Sequence, residues 1–349
     1  MKEKILLGLS GGLDSTYAAR VLSERGYEVE GAVLKMHEYT DTAAAEASAA
    51  ELGIPLHIID CRDAFSSVVV SNFLDEYTAA RTPNPCIVCN REVKFRFLYE
   101  YAMENGFDKI ATGHYADVVK IGEGADARFA VKRAGDLNKD QTYMLYRLSQ
   151  EQLSKLVLPL SDMKKDDIRE NARLLGLSAA EKRDSQEICF IPDGDYASYV
   201  EERCGAAKRG SFVDVQGNVV GAHEGLLRYT IGQRKGLGVA LGARAFVREI
   251  DPVANTVTLG YEPKMSRTVY ISDMVFSGIK KPDETLCIPV SVKLRYKAPA
   301  VFATAEISSD GKAKITLDAP FASVTPGQSA VLYDGDLVLA GGFIDRSEL

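Results

Sequence analysis

The sequence predicts an α/β amino-terminal domain with a parallel, Rossmann-like sheet, then a small helical insert, then a carboxyl-terminal region rich in short strands that close into one or two β-barrels. Three observations carry this. Apolar runs of strand length alternate with amphipathic helical segments over the first third, helical spacing dominates after about residue 140, and from about residue 205 short apolar segments are separated by Gly, Pro and Asp. Domain limits of 1–140, 141–204 and 205–349 follow.

The first apolar run, residues 5–9, stops at Ser10, Gly11 and Gly12. An amphipathic helix opens at Ser15 with Ala18, Val21 and Leu22 on one face. Residues 29–34 read as a second strand, 42–52 as a helix stopped by Gly53, and 55–60 as a third strand. Phe65, Val68, Val69, Phe73 and Tyr77 recur at helical spacing, as do Val93, Phe97 and Tyr101 before Gly106, and residues 109–112 supply a fourth strand. In such a sheet ligands sit beyond the carboxyl ends of the strands, where Ser10, Lys35 and Gly113-His114 lie. Residues 118–121 and 129–133 read as two short strands; 141–148, 150–156 and 166–175 read as helices, the last closed by Gly176. Strand-like segments then run at 213–220, 245–250, 256–259, 290–294, 301–307, 313–317, 329–333 and 337–340.

The bulk composition narrows the function classes. A chain of 349 residues with net charge −7 is not a general polyanion binder, so any nucleic-acid contact must be local and directed, with no case for DNA. No apolar run is long enough to span a bilayer and the start leads straight into a strand, so a cytoplasmic location is expected. Six cysteines, at 61, 86, 89, 189, 204 and 287, are too few and too scattered for a disulfide scaffold; a reactive or metal-binding subset is expected.

Chemistry concentrates in a few stretches. In Gly8-Leu9-Ser10-Gly11-Gly12-Leu13-Asp14-Ser15 two adjacent glycines admit a close ligand, and Ser10 and Ser15 add hydroxyls to the N–H groups of a helix start, which suits phosphate. Glycine pairs more often just punctuate a turn, but the strand before, the helix after and the added Asp and Ser favour a nucleotide. Asp14 beside phosphates needs a shared cation, so Mg²⁺ is implied. Farther on, two prolines stiffen residues 81–85, and Asn90 reads as the N-cap of the next helix, which would put Cys89 at a helix start near Arg91 and Lys94, where thiolate is favoured. Buried structural cysteines are the competing reading. Cys189, flanked by Ile188, Phe190 and Ile191, reads on its own as a core thiol. Between Arg228 and Arg248 five basic residues and no acidic one make a positive patch, or else a solvated loop. His114, alone after a strand, is as plausible a structural residue as a functional one.

The opening loop resembles the PP-loop of ATP pyrophosphatases, whose domain is of the HUP type. Together with Asn84-Pro85-x-x-x-Cys89-Asn90, Val93-Lys94-Phe95, Gly113-His114-Tyr115-Ala116, Lys139-Asp140-Gln141, Cys189-Phe190-Ile191, the 230–238 stretch and Pro326-Gly327-Gln328, it is similar in order and over nearly the whole chain to the tRNA-specific 2-thiouridylases. The resemblance implies ATP-dependent adenylation of the wobble-uridine 2-carbonyl, with ATP held by residues 8–15, Leu34 and Gly113. It implies Cys189 as the persulfide carrier and Cys89 as the nucleophile that closes a disulfide with it, with a sulfur-donor protein or sulfide as partner. Asn84, Pro85 and Cys86 would touch the target base, and His114, Lys139, Asp140, Gln141, Arg295, Tyr296 and Gln328 the tRNA.

The chain departs from that pattern at three places. Cys86 stands where many members have Asp, residues 35–43 are shorter than usual, and Glu187 stands where Gly is common. The first opens alternatives: an iron–sulfur cluster on Cys86, Cys89 and Cys189, as in cluster-dependent tRNA thiolases, or a Cys-x-x-Cys redox pair. The persulfide route fits the remaining motifs best. A PP-loop ligase amidating a small molecule, and a tRNA-binding module without catalysis, are the other function classes; the first has no use for Cys89, Cys189 or the basic stretch.

Overall fold

In the computed structural model, which describes residues 2–182, 188–239 and 241–349, the first sheet holds β1 (Lys4–Gly8), β2 (Glu28–Lys35), β3 (Leu56–Asp60), β4 (Lys109–Ala111) and, after the hairpin β5 (Asp117–Ile121) and β6 (Arg128–Lys132), the two-residue β7 (Leu156–Val157). All its pairings are parallel, in the order β3-β2-β1-β4-β7. Strand order therefore reverses at β1, between β2 and β4, which opens a crevice at the carboxyl end of β1. Side chains alternate between two cores: Leu6, Ala32 and Ile110 enter one, Ile5, Leu7 and Ala111 the other, so helices must cover both faces.

Helix α1 (Leu13–Glu24) starts two residues earlier than the periodicity suggests, because Gly12 takes the N-cap position. Helix α2 (Thr42–Leu52) is capped by Asp41, whose carboxylate accepts the Ala44 N–H at 2.9 Å, and is closed by Gly53 in the left-handed region. The 141–204 stretch does not build a core of its own. Ile168 and Ala172 of the helix Lys165–Leu174 share the core of Tyr17, Ala18 and Val21 on α1, and Phe190, Ile191, Ala197 and Val200 join the core on the other face. The helix Tyr196–Cys204, unmarked by any clear apolar period, is started by the Asp195 carboxylate accepting the Ser198 N–H at 3.1 Å.

The β-rich part contains two bodies of sheet. β8 (Gly210–Val213), β9 (Val219–His223), β10 (Phe246–Asp251) and β11 (Thr256–Gly260) pair in the order β10-β11-β8-β9. Residues 213–220, read above as one strand, hold the end of β8, a turn over 214–218 with Gly217 at φ 88°, and the start of β9. β12 (Met265–Phe276), β13 (Leu286–Lys293), β14 (Val301–Ile307), β15 (Ala313–Ala322), β16 (Ser329–Asp334) and β17 (Leu337–Glu348) form a barrel closed by the β12 to β17 pairing. β6 pairs with β17 at Lys132 and Leu337, so the hairpin of the first half extends the sheet of the second. Buried hydroxyls reinforce the junction: Tyr143 donates to the Ser329 carbonyl at 2.9 Å, and Tyr146 bonds the Ser329 hydroxyl at 2.9 Å. Among the described residues no helix is long and apolar enough to cross a membrane.

Candidate active site

The loop after β1 is built for close approach. Gly11 has φ 73°, and a Cβ there would lie 2.4 Å from the Ala44 carbonyl, so only glycine lets α2 abut the loop. A Cβ on Gly113 would lie 2.8 Å from the Asp14 main chain, which puts the segment beyond β4 directly against the loop. Ser15 Oγ accepts the Ser10 N–H at 3.1 Å and donates to the Gly12 carbonyl at 3.2 Å, fixing the curve. No side chain caps α1, so its first N–H groups face whatever anion enters. Leu9 and Leu13 are buried supports, while Gly8 and Leu34 are half-buried at strand ends.

Asp14, expected to share a magnesium ion, has a protein cation beside it. Lys165 Nζ lies 2.6 and 2.7 Å from its two oxygens, the Tyr115 hydroxyl donates to Oδ1 at 2.7 Å, and Lys182 Nζ donates to the Gly11 carbonyl at 2.9 Å. Nothing in the sequence pointed to Lys165 or Lys182, which are 151 and 171 residues from their partners. A lone carboxylate suits Mg²⁺ only with phosphate oxygens and water as further ligands, which is how that ion is held at nucleotide sites. The donor set fits on those terms.

The cysteine stretch departs from the sequence reading. Pro85 begins a helix, Pro85–Cys89, with Asn84 at the N-cap position, and a π-helical turn, Asn90–Lys94, continues it into Phe95–Glu104. Proline favours the first helical position, so the second proline was a start signal and not the continuation of a loop. Asn90 is no cap; it is buried, and its side-chain amide donates to the Met144 carbonyl at 3.0 Å. Cys89 consequently sits a full turn inside the helix, beyond the reach of the terminal dipole. Burial pushes its thiol up to about 12, with Lys94 pulling the other way and the thiols of Cys189 and Cys86 adding to the rise. Cys86 and Cys189 are exposed, and the Cys89 thiol donates to Met36 Sδ at 3.7 Å.

Lys94 is the local counter-charge. Burial lowers its ammonium, but Cys89, Cys86 and Cys189 outweigh that and hold it above its ordinary value. Lys94 closes the π-helical turn that follows Cys89 directly, and it bears on the Cys89 thiol. Among the described residues, which include all three cysteines, no group of three His, Cys, Asp or Glu side chains is gathered to hold a metal. The geometry therefore lends nothing to a cluster on Cys86, Cys89 and Cys189. Glu187 lies outside the described residues.

Several residues expected to touch tRNA are engaged internally. His114 bonds Thr112 Oγ1 at 2.8 Å through Nδ1 and rests near the Phe95 ring; burial, helped by Lys94, pushes it down to about 3, so it is neutral at pH 7. Asp140 is 7% exposed and accepts the Thr142 hydroxyl at 2.8 Å, and the Gln141 side-chain carbonyl accepts the Tyr115 N–H at 2.9 Å. Arg295 donates to the carbonyls of Ile231 and Ser323, at 2.9 and 2.6 Å, and to the Thr325 hydroxyl. Gln328 donates to the Thr82 carbonyl at 2.7 Å, clasping the segment that leads to Asn84 and Pro85. The polar groups of these five are taken up by main-chain and hydroxyl partners within the fold. Lys139 is exposed, and Tyr296 is half-buried near Cys86 and Asp140. Within the basic stretch Arg234 and Arg244 line a cavity of about 370 Å³ with Leu237 and Leu241, while Arg228 is paired to Glu201 at 2.6 Å.

Comparison with known proteins gives matches along the whole length. Residues 3–193 match a family described as tRNA methyl transferase HUP domain, 197–261 a tRNA methyl transferase PRC-barrel domain, and 266–344 an aminomethyltransferase beta-barrel domain. A protein of Acetivibrio thermocellus named tRNA-specific 2-thiouridylase MnmA is 42% identical over 360 residues, covering 98% of this chain and 99% of its own. One of the same name from Clostridioides difficile is 41% identical over 364 residues, covering 99% of each.

Proposed function

The chain belongs to the tRNA-specific 2-thiouridylase family, and from that membership we propose that it transfers sulfur to C2 of the wobble uridine in tRNA anticodons, in the cytoplasm, at the expense of ATP. Uridine O2 attacks the α-phosphorus of ATP and pyrophosphate leaves, which converts a poor leaving group into AMP. Residues 8–15, Leu34 and Gly113 hold the nucleotide, and Mg²⁺ shared with Asp14 would neutralise phosphate charge. Cys189, exposed, attacks the outer sulfur of a persulfide on a donor protein, whose cysteine leaves as a thiol, and carries that sulfur as a persulfide. The Cys89 thiolate attacks Sγ of Cys189, the terminal sulfur departs as hydrosulfide, and that hydrosulfide adds to C2 and expels AMP with the former carbonyl oxygen. A Cys89–Cys189 disulfide remains, which an external thiol reopens.

The observation that supports this reading is that the Cys89 thiol lies at the same carboxyl end of the sheet as the loop after β1. Cys89 touches Met36, just past β2, and its neighbour Lys94 bears on His114, just past β4; β2 and β4 are the strands flanking β1. Methyl transfer, which the domain descriptions mention, is less well supported: a methyl donor carries its own leaving group and needs neither a phosphate loop nor paired thiols. Asn84, Pro85, Cys86 and Tyr296 would face the base, extruded from the anticodon stack to reach them. The test is stoichiometry with labelled ATP: one AMP and one pyrophosphate per thiolated tRNA supports the reading, and formation of ADP, or turnover without tRNA, defeats it.

A further inference from the structure

We infer that Lys165 and Lys182 are phosphate-gripping residues of the nucleotide site, and that Lys165 releases Asp14 to a divalent cation when a nucleoside triphosphate enters. The inference rests on residues 8–15 being the ATP site. Lys165 is the first residue of its helix and is only 5% exposed, yet its ammonium reaches both oxygens of Asp14 at 2.6 and 2.7 Å. The Asp14 side chain keeps 34% of its exposure, so the pair opens outward on the carboxylate side. Tyr115 holds the same carboxylate from a third direction at 2.7 Å, and Lys165 Nζ stands 5.8 Å from the Tyr115 ring centre.

A buried ion pair is costly for a fold to keep, and replacing both of its members by apolar side chains is often no worse for stability. Retention at the rim of an anion-binding loop is therefore better explained by what enters the loop. Lys182 reaches the loop from a second element and is tethered to the Gly11 carbonyl at 2.9 Å, midway along the glycine pair. An ammonium has three donors, so this tether is compatible with a phosphate oxygen on the same nitrogen. The triphosphate carries more charge than one Mg²⁺ neutralises, and two ammonium groups at the loop supply the balance. Because Asp14 cannot serve Lys165 and Mg²⁺ equally well, the lysine would turn from the carboxylate toward phosphates held in the adjoining loop. Leu34 and Gly113, on the adenosine side, take no part.

The experiment is calorimetric titration of the full chain with Mg·ATP, with inorganic pyrophosphate and with adenosine, for the wild type, Lys182→Met and Lys165→Met. Losing a charge-assisted contact should weaken ATP and pyrophosphate by about tenfold or more in each variant and leave adenosine within about twofold. Lys165→Met should also bind Mn²⁺ alone more tightly than the wild type, since Asp14 has lost its competitor. Unchanged pyrophosphate affinity in both variants, or an equal loss for adenosine, overturns the inference. If Lys165→Met fails to fold, the double variant Asp14→Asn/Lys165→Met removes both charges together, and Lys182→Met, at an exposed position, still decides the phosphate grip. A wild type that binds no ATP would instead defeat the reading of the loop, and the inference with it.

Discussion

Cys89 should be slow to react with iodoacetamide, and the extent can be worked from its surroundings. With its thiol pushed up to about 12 by burial, roughly one molecule in 10⁴ carries the thiolate at pH 8, against about a quarter for a free cysteine near 8.5. That is a deficit of roughly 2,000-fold in the reactive form. A more basic thiolate is also a better nucleophile; with a Brønsted slope of about 0.45 the gain over 3.5 units is about 40-fold. The net expectation is alkylation about 50-fold slower than a free cysteine before any barrier to reagent entry. The rate should climb about tenfold per pH unit with no plateau below pH 10. Isotope-coded labelling followed by peptide mass spectrometry reads Cys86 and Cys89 separately in one sample, and the exposed Cys86 serves as the internal standard. Labelling of Cys89 as fast as Cys86, or a plateau below pH 9, would refute the view that burial governs this thiol.

Gly11→Ala should abolish nucleotide binding by fluorescent-analogue titration, because φ 73° and a carbonyl 2.4 Å from the new methyl force the loop to move. His114 is held below its ordinary value of 6.5, so the unfolded chain takes up the proton first. Its contribution to stability is fully present above pH 6.5 and lost as pH falls from 6.5 toward 3, by at most about 1.4 kcal/mol per pH unit. Urea midpoints for wild type and His114→Gln should accordingly converge as the pH is lowered from 7 to 5. Tyr143→Phe should cost about 1–3 kcal/mol in urea unfolding, since the hydroxyl both donates to the Ser329 carbonyl and accepts its N–H at 3.1 Å.

Four strands of the parallel sheet were legible because each is a short apolar run bounded by a visible break, such as Ser10-Gly11 after β1 or Gly53 before β3; the two-residue β7, at the end of a run read as helix, was not. The crevice at the carboxyl end of β1, where the strand order reverses, was legible from the same breaks. Where apolar period and structure part, the sequence misleads. β12 carries Ser266, Ser272 and an Asp273 at φ 49°, so its alternation is broken by a bulge, and the strand declares itself only through pairing on both sides with β15 and β17. The turn at Asp214 to Asn218 was overrun by the valines on either side. Pro85 was read as stiffening a loop when its place before a helical run marks a first turn, and that single misreading carried Cys89 from a buried site to an exposed helix start. Lys165 and Lys182 were beyond reach, since nothing local to either records that Asp14 and Gly11 will be its neighbours. Arg295 and Asp140 show the converse: the motif marked them, and only the packing reveals main-chain and hydroxyl partners that tie them into the frame around the site.

The central claim is sulfur transfer to a uridine in tRNA, and the product reports on it most directly. Unmodified tRNA is incubated with the full chain, ATP, Mg²⁺ and a persulfide donor, digested to nucleosides and analysed by mass spectrometry. A nucleoside heavier than its uridine parent by the mass difference between sulfur and oxygen is expected, formed only when ATP is present and lost in Cys189→Ser. A gain of a methyl group, or the sulfur product appearing undiminished without ATP, would contradict it.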